Sequence, residues 1–235
     1  DLASGPQAGV VHAIARHYSG ESFDALTSEI ARHKAGFAQG VGDADLAALF
    51  QQPAGLSMSG IAARVFLGDE QRLLDHLIPA LSAGSSNDVK AAAKLGRIGA
   101  LDQGALGTLE DVFLTGAGAK SPFSAKIGSF PTKAARTALG AEMEAIEAWM
   151  ARVESARAAR LALLSMTRTR ALHAFAGAFL RRYAAAKERR GLLDFDDLIG
   201  RPVRLLHGDP EIRERWQQRL RHLLVDEYQD TNGAQ

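Results

Sequence analysis

The sequence predicts a mostly α-helical domain followed by the beginning of an α/β domain. From Thr137 to Arg190 apolar residues recur every three or four positions, which is the spacing of one face of a long helix. After Gly191 the pattern changes to two short helices and a continuous apolar run over residues 223–225, an order typical of an α/β sheet. We therefore predict a domain boundary at about residue 190.

The composition is that of a globular chain whose core is built largely from small side chains. Of the 235 residues, 46% are hydrophobic and only 6% are aromatic, and there is no cysteine. The absence of cysteine excludes a disulfide framework and a thiolate zinc site. No apolar run reaches the roughly 18 residues needed to cross a bilayer, and the first residues do not resemble a signal peptide. We expect a soluble cytoplasmic protein.

The net charge of +1 conceals an uneven distribution. Residues 151–190 carry ten basic and two acidic side chains, whereas the segments on either side are both net negative. A segment of this kind is most simply the solvated face of a long helix, and contact with a polyanion is the alternative.

The first half of the chain is expected to be helical with one long loop. We predict helices over residues 22–50, 60–83, 90–95 and 101–114, and a loop rich in Gly, Ser and Pro over residues 115–136. Pro79 is expected to interrupt the second helix, and Asp88 to cap the third. Lys120, Lys126 and Lys133 are spaced through the loop.

Two apolar stripes mark the long helical segment, although Thr167 and Thr169 leave two consecutive helices as an alternative. The stripes consist of Met143, Ile146, Met150 and Val153, and of Leu172, Phe175, Phe179 and Tyr183. We predict that the aromatic stripe is core rather than a platform for base stacking.

Acidic residues mark the starts of the two helices that follow Gly191. Asp194 is a predicted N-cap with Asp196 and Asp197 in the first turn, where carboxylates meet free N–H groups. Asp209 is the next N-cap, with Pro210 at the first helical position.

Two adjacent acids, Asp226 and Glu227, follow the apolar run at residues 223–225. In open α/β sheets, ligands bind outside the carboxyl ends of the strands. Mg²⁺ is bound there by one or two carboxylates together with substrate phosphates, and a neighbouring carboxylate can deprotonate an attacking water. The pattern is short, and a solvated acidic turn is the alternative.

The wider string "LLVDEYQDTNGAQ" resembles the Walker B block, motif II, of the UvrD/Rep-type superfamily 1 DNA helicases, strand–D-E-[FYA]-Q-D-T-N/S-x-x-Q. The upstream "GLLDFDDLI" at residues 191–199 is similar to the D-F-D-D-L segment that precedes motif II in these enzymes. The resemblance implies that residues 1–190 are a helical insertion subdomain of 1B type. Residues 191–235 would then return into the first RecA-like (P-loop NTPase) motor domain and end at motif II.

This resemblance also implies roles for individual residues. Asp226 would hold Mg²⁺ on the phosphates of ATP, and Glu227 would be the general base toward the attacking water. Gln229 and Asp230 would link the phosphate site to the neighbouring motor elements and to DNA. The implied cofactors are ATP and Mg²⁺, the implied partner is DNA, and the implied location is the bacterial cytoplasm, at the nucleoid when DNA is bound.

Residues 81–96, 112–137 and 179–198 further resemble AddA, the helicase–nuclease subunit for double-strand-break repair and recombination in proteobacteria. A second subunit of AddB type would then be a partner. Tyr228 departs from this pattern, because AddA proteins usually carry Ala there. Another UvrD/Rep-type helicase is therefore the alternative.

The phosphate-binding loop of the family, G-x-x-x-x-G-K-[ST] (Walker A), is absent from the sequence. The nearest string, "GAGAKS" at residues 116–121, has Ala119 where the motif needs Gly, and Leu114 at its first Gly position. We therefore expect a helicase fragment that does not hydrolyse ATP by itself.

Two other functions are compatible with the residues. One is a DNA-binding or scaffolding module that uses Lys120, Lys126, Lys133 and the basic 151–190 segment, and its affinity would fall steeply with salt. The other is a metal-dependent nuclease that uses Asp194, Asp196, Asp226 and Glu227.

Overall fold

A computed structural model describes residues 8–15, 20–222 and 224, and these residues are mostly helical. The α-helices are α1 (Ala8–Ala15), α2 (Glu21–Arg32), α3 (Asp43–Leu49), α4 (Met58–Val65), α5 (Glu70–Ser82), α6 (Ser86–Leu95), α7 (Leu106–Phe113), α8 (Lys133–Leu139), α9 (Glu142–Arg190), α10 (Phe195–Gly208) and α11 (Pro210–Arg219). A 3₁₀ helix spans Lys34–Phe37. The described residues contain no strand, only an isolated antiparallel bridge between Leu114 and Ala125, and none of their helices could cross a membrane.

The chain divides into two compact units. The middle unit is Gln39–His173, and the terminal unit consists of the described residues before Gln39 and after His173. Helix α9 belongs to the middle unit as far as His173 and to the terminal unit from Ala174 onward. The helical part of the predicted fold is thus confirmed. The apolar run at residues 223–225 lies almost wholly outside the described residues, so the motor domain and the boundary near residue 190 stay predictions.

The core of the middle unit is built from apolar faces of α4 to α7 packed against the first turns of α9. The predicted stripe of Met143, Ile146, Met150 and Val153 is fully buried. Trp149, beside that stripe, makes an edge-to-face contact with Phe113, with ring centroids 5.0 Å apart. The long-helix pattern therefore identified the central packing surface of this unit.

The predicted continuous helix over residues 22–50 is wrong. Helix α2 ends at Arg32, and α3 begins only at Asp43. Gly36, Gly40 and Gly42 lie between them, and glycine is costly in a helix interior. The Asp45 carboxylate accepts the N–H of Gly42 at 3.1 Å and so fixes the start of α3.

Pro79 does not interrupt its helix, contrary to the prediction. Helix α5 runs through it, because Leu77 and Leu81 on either side are fully buried and hold that turn in the core. The break lies instead before Glu70, where Gly68 has a φ of 125°, a conformation that favours glycine.

The N-cap of α6 is Ser85, not Asp88. The Asp88 N–H donates to Ser85 Oγ at 3.3 Å, and the Ser85 N–H donates to the Asp88 carboxylate at 3.0 Å. This reciprocal pair is a capping box, with the acid at the third helical position. Thr132 Oγ1 also donates to the buried Asp88 carboxylate, at 2.6 Å.

Helix α9 is continuous, so the alternative of two consecutive helices is wrong. Thr167 is accommodated because its Oγ1 donates to the Leu163 carbonyl at 2.8 Å. In the terminal unit, Phe175 is buried and stacks on Phe179, with centroids 6.2 Å apart, and Phe23 meets Phe175 edge to face at 5.5 Å. The prediction of a core stripe is therefore confirmed for Phe175, whereas the other three members of the stripe are only partly buried.

Candidate nucleic-acid and nucleotide sites

The predicted loop over residues 115–136 is held in place by acidic residues of α9, and its last residues, from Lys133, belong to α8. Glu154 accepts the N–H of Ala125 at 3.1 Å, and Glu147 accepts the N–H of Gly128 at 2.8 Å. Arg136 makes an ion pair with Glu147 at 2.7 Å. The two glutamates thus fix the backbone on both sides of Lys126.

Lys126 is half-buried, and its ammonium already has protein partners. Its Nζ donates to the Val112 carbonyl at 2.7 Å and lies 5.6 Å from the centroid of the Phe130 ring. Burial, and then the positive charge of Lys94, lower the pKa of Lys126. The other two candidates, Lys120 and Lys133, have exposed side chains.

Lys126 lines a groove of about 430 Å³ between α6, the end of α7 and residues 126–132. Lys90 and Lys94 of α6 line the same groove, as does Asp111. We call this the lysine groove. Lys90 and Lys94 were not among the predicted DNA-binding residues, although their spacing of four residues on a predicted helix places them on one face.

Half of the cations in the basic 151–190 segment have acidic partners within their own unit. The pairs are Arg152–Glu70 (2.6 Å), Arg157–Glu110 (3.5 Å), Arg160–Glu110 (2.5 Å), Arg170–Asp43 (2.6 Å) and Lys187–Asp194 (2.6 Å). The prediction of a solvated face is wrong for Arg152, Arg157, Arg160 and Lys187, which are partly buried in their ion pairs. It is confirmed for six exposed arginines, namely Arg168, Arg170, Arg181, Arg182, Arg189 and Arg190.

The predicted helix start at Asp194 is confirmed. Its carboxylate accepts the N–H of Asp197 at 2.9 Å, and the Asp197 carboxylate accepts the N–H of Asp194 at 3.1 Å. Two lysines add charge-assisted hydrogen bonds. Lys187 donates to both carboxylates, and Lys34 Nζ lies 3.1 Å from Asp194 and 3.0 Å from Asp196. We call these five residues the α10 junction.

The predicted N-cap of α11, Asp209, is also confirmed. Its Oδ1 accepts the N–H groups of Glu211 and Ile212, the second and third residues of that helix.

The charges of the α10 junction shift each other's pKa values. Partial burial opposes ionisation of Asp194, but hydrogen bonds from Lys187, the Asp197 N–H and Lys34 hold its pKa far below the ordinary value. Burial likewise opposes the charge of Lys187, yet its two carboxylate partners raise its pKa.

These lysines bear on the alternative of a metal-dependent nuclease. Asp194 and Asp196, two of its four predicted ligands, already have cationic partners. Within the described residues, no group of three or more His, Asp or Glu side chains could hold a metal ion. The contacts of Asp194 and Asp196 are thus those of a helix start, whereas Asp226 and Glu227, the other two residues of this alternative, lie outside the described residues.

The predicted nucleotide-site residues Asp226, Glu227, Gln229 and Asp230 lie outside the described residues. The structure therefore leaves their roles as predictions.

Comparison with known proteins connects the chain to DNA helicases. Residues 12–235 match the family described as the UvrD/REP helicase N-terminal domain. A segment of 53 residues is 57% identical to the ATP-dependent DNA helicase Rep of Salmonella typhimurium, covering 23% of this chain and 8% of Rep. A segment of 43 residues is 63% identical to the ATP-dependent DNA helicase UvrD1 of Mycobacterium leprae, covering 18% of this chain and 6% of UvrD1. The matched segments are thus small parts of these relatives. No solved structure shows significant similarity to the chain.

Proposed function

Because the chain belongs to the UvrD/REP helicase N-terminal domain family, we propose that it forms part of an ATP-dependent DNA helicase. The observation that carries this proposal is the extent of the family match, which includes both the helical segment and the D-E-Y-Q-D-T-N block. The names of the relatives, all ATP-dependent DNA helicases, support the same activity.

In this proposal Asp226 and Glu227 have different roles in ATP hydrolysis. Two adjacent carboxylates after a predicted apolar strand suit Mg²⁺, which prefers one or two carboxylates together with phosphate oxygens. Asp226 holds the ion, which when bound neutralises charge on the phosphates. Glu227 orients the attacking water and accepts its proton. Gln229 and Asp230 couple the phosphate site to the DNA-binding elements.

Hydrolysis also requires a phosphate-binding loop, and the sequence contains no G-x-x-x-x-G-K-[ST] string. Backbone N–H groups and the lysine of such a loop hold the β- and γ-phosphates. We therefore propose that these 235 residues do not hydrolyse ATP without it.

The substitution Glu227→Gln in the complete helicase tests this assignment. It keeps the size of the side chain but removes the base, so we expect DNA-stimulated turnover to fall by at least a hundredfold, the low end for a general base. Binding of a fluorescent ATP analogue should change less than threefold, because Asp226 is intact. Normal turnover by the variant would show that another residue is the base.

The finer assignment is to an AddA-type subunit that acts in double-strand-break repair with an AddB-type partner. It is supported by the three segments at residues 81–96, 112–137 and 179–198, whereas the relatives named above are Rep and UvrD1. Stable co-purification with a second helicase–nuclease subunit would support it. A helicase that acts without such a partner would indicate another UvrD/Rep-type enzyme.

A further inference from the structure

The lysine groove concentrates positive charge from two different parts of the middle unit. Lys90 and Lys94 are exposed on α6 and lie one turn apart. Lys126 comes from the loop beside α6, and its pKa is lowered first by burial and then by the nearby positive charge of Lys94. Three cations therefore border one concave surface, and an anion in the groove would relieve their repulsion.

The groove contains little competing negative charge. The Asp88 carboxylate is buried beneath it and is occupied by donors from Ser85 and Thr132. Asp111 is the one exposed acid among the lining residues, with a side chain 70% exposed and 3.4 Å from Lys94. Exposed ion pairs of this kind contribute little stability, so an incoming phosphate can displace Asp111.

The groove offers no free aromatic face for a base. Phe130 is the aromatic residue that lines it. The ring of Phe130 packs against Phe113, with centroids 6.3 Å apart, and Lys126 lies over it. Sites for single-stranded nucleic acid usually combine cations with aromatic side chains on which bases stack. Contacts from cations alone fit a duplex, whose phosphates are outside and whose bases are paired.

The position of Lys126 is fixed before any ligand arrives. Its backbone N–H donates to the Phe113 carbonyl at 2.9 Å, and Glu147 and Glu154 hold the residues on either side. A prearranged cation loses less conformational entropy on binding than a free one.

We propose that the lysine groove binds the phosphodiester backbone of duplex DNA without regard to sequence, through Lys90, Lys94 and Lys126. The inference rests on the proposed function, because it names a DNA contact of that helicase. It assigns the contact to the middle unit, whereas Lys120 and Lys133 do not line the groove.

The test compares four forms of the 235-residue chain with a fluorescent 20-base-pair duplex over a range of salt concentrations. They are the wild type, the double variant Lys90→Gln/Lys94→Gln, Asp111→Asn, and the control Arg64→Gln, which removes one exposed cation from a different groove of the same unit. Each phosphate contact contributes about 0.9 to the slope of log affinity against log salt. The double variant should therefore lower that slope by about two.

The variant Asp111→Asn should bind the duplex more tightly than the wild type, because the competing carboxylate is gone. The control Arg64→Gln should match the wild type, and circular dichroism should show that all four forms are folded. A wild-type chain that does not bind duplex, a double variant with an unchanged slope, or an equal loss in the control would overturn the proposal. A loss seen only with a single-stranded 20-mer would overturn the duplex assignment.

This test is independent of the nucleotide site. Glu227 is unchanged in all four forms, and no ATP is added. If the groove variants bind DNA like the wild type, the proposed ATP-dependent activity is not affected. If the Glu227→Gln enzyme keeps normal turnover, the proposed DNA contact of the lysine groove is not affected.

Discussion

At the scale of single residues, Glu70 is a buried acid whose charge is stabilised by hydrogen bonds and an ion pair. The residue is 2% exposed, and its carboxylate accepts the N–H groups of Leu67 and Gly68 at 2.9 and 2.8 Å. Arg152 Nη2 donates to it at 2.6 Å, and Arg152 Nε donates to the Val65 carbonyl. Burial opposes ionisation, yet the backbone donors and Arg152 lower the pKa of Glu70.

The substitution Arg152→Met should destabilise the middle unit by about 2 kcal/mol, because it leaves a buried carboxylate without its cation. The estimate is kept low because the Arg152 side chain is 27% exposed and the backbone donors remain. Chemical unfolding monitored by the fluorescence of Trp149, in the core of the same unit, measures the loss. The control Arg64→Met removes an exposed arginine and should cost less than about 0.5 kcal/mol. Equal costs for the two variants would contradict this account of Glu70.

At the scale of elements, the α10 junction joins the end of α9 to the start of α10 through charges. Gly191 ends α9 with a φ of 63°, and Lys187 reaches from the last turns of α9 to the capping box of Asp194 and Asp197. Lys34 adds a contact from the 3₁₀ helix. Segments far apart in the sequence thus meet at a few charged atoms.

The pKa shifts of the α10 junction give its stability a defined pH range. The pKa values of Asp194 and Asp197 are lowered, so their contribution is present above about pH 4, the ordinary aspartate value, and is lost as pH falls. The pKa values of Lys34 and Lys187 are raised, so their contribution is present below about pH 10 and is lost as pH rises through the folded-state pKa values. The junction should therefore be most stable between these limits.

The substitution Lys187→Met should destabilise the first turn of α10 and make the stability of that turn less dependent on pH. Hydrogen exchange of the Leu198 amide, which donates to the Asp194 carbonyl at 3.1 Å, reports on that turn. We expect protection at pH 7 to fall by about tenfold, which corresponds to one charge-assisted hydrogen bond. The matched control is Arg190→Met, because Arg190 is exposed on the same helix. Unchanged protection of the Leu198 amide in the Lys187 variant would show that Lys187 does not stabilise the first turn of α10.

At the scale of the whole molecule, two helix starts and the buried stripe of α9 were predictable from the sequence, whereas the partners that tertiary packing brings together were not. The starts of α10 and α11 followed from Asp194 and Asp209, because an N-cap acts within one turn. The path of α5 through Pro79 and the partners of Arg152 and Arg160 did not follow, because they depend on residues far away in sequence. The nucleotide site is known from the sequence alone, because Asp226 and Glu227 belong to a sequence motif but lie outside the described residues.

The most direct test of the central claim is strand separation by the complete helicase. A forked duplex with a fluorophore and a quencher at its end reports unwinding in real time. We predict unwinding that requires both ATP and Mg²⁺ and that stops when a non-hydrolysable ATP analogue replaces ATP. A folded protein that binds the fork but neither separates its strands nor hydrolyses ATP would contradict the assignment.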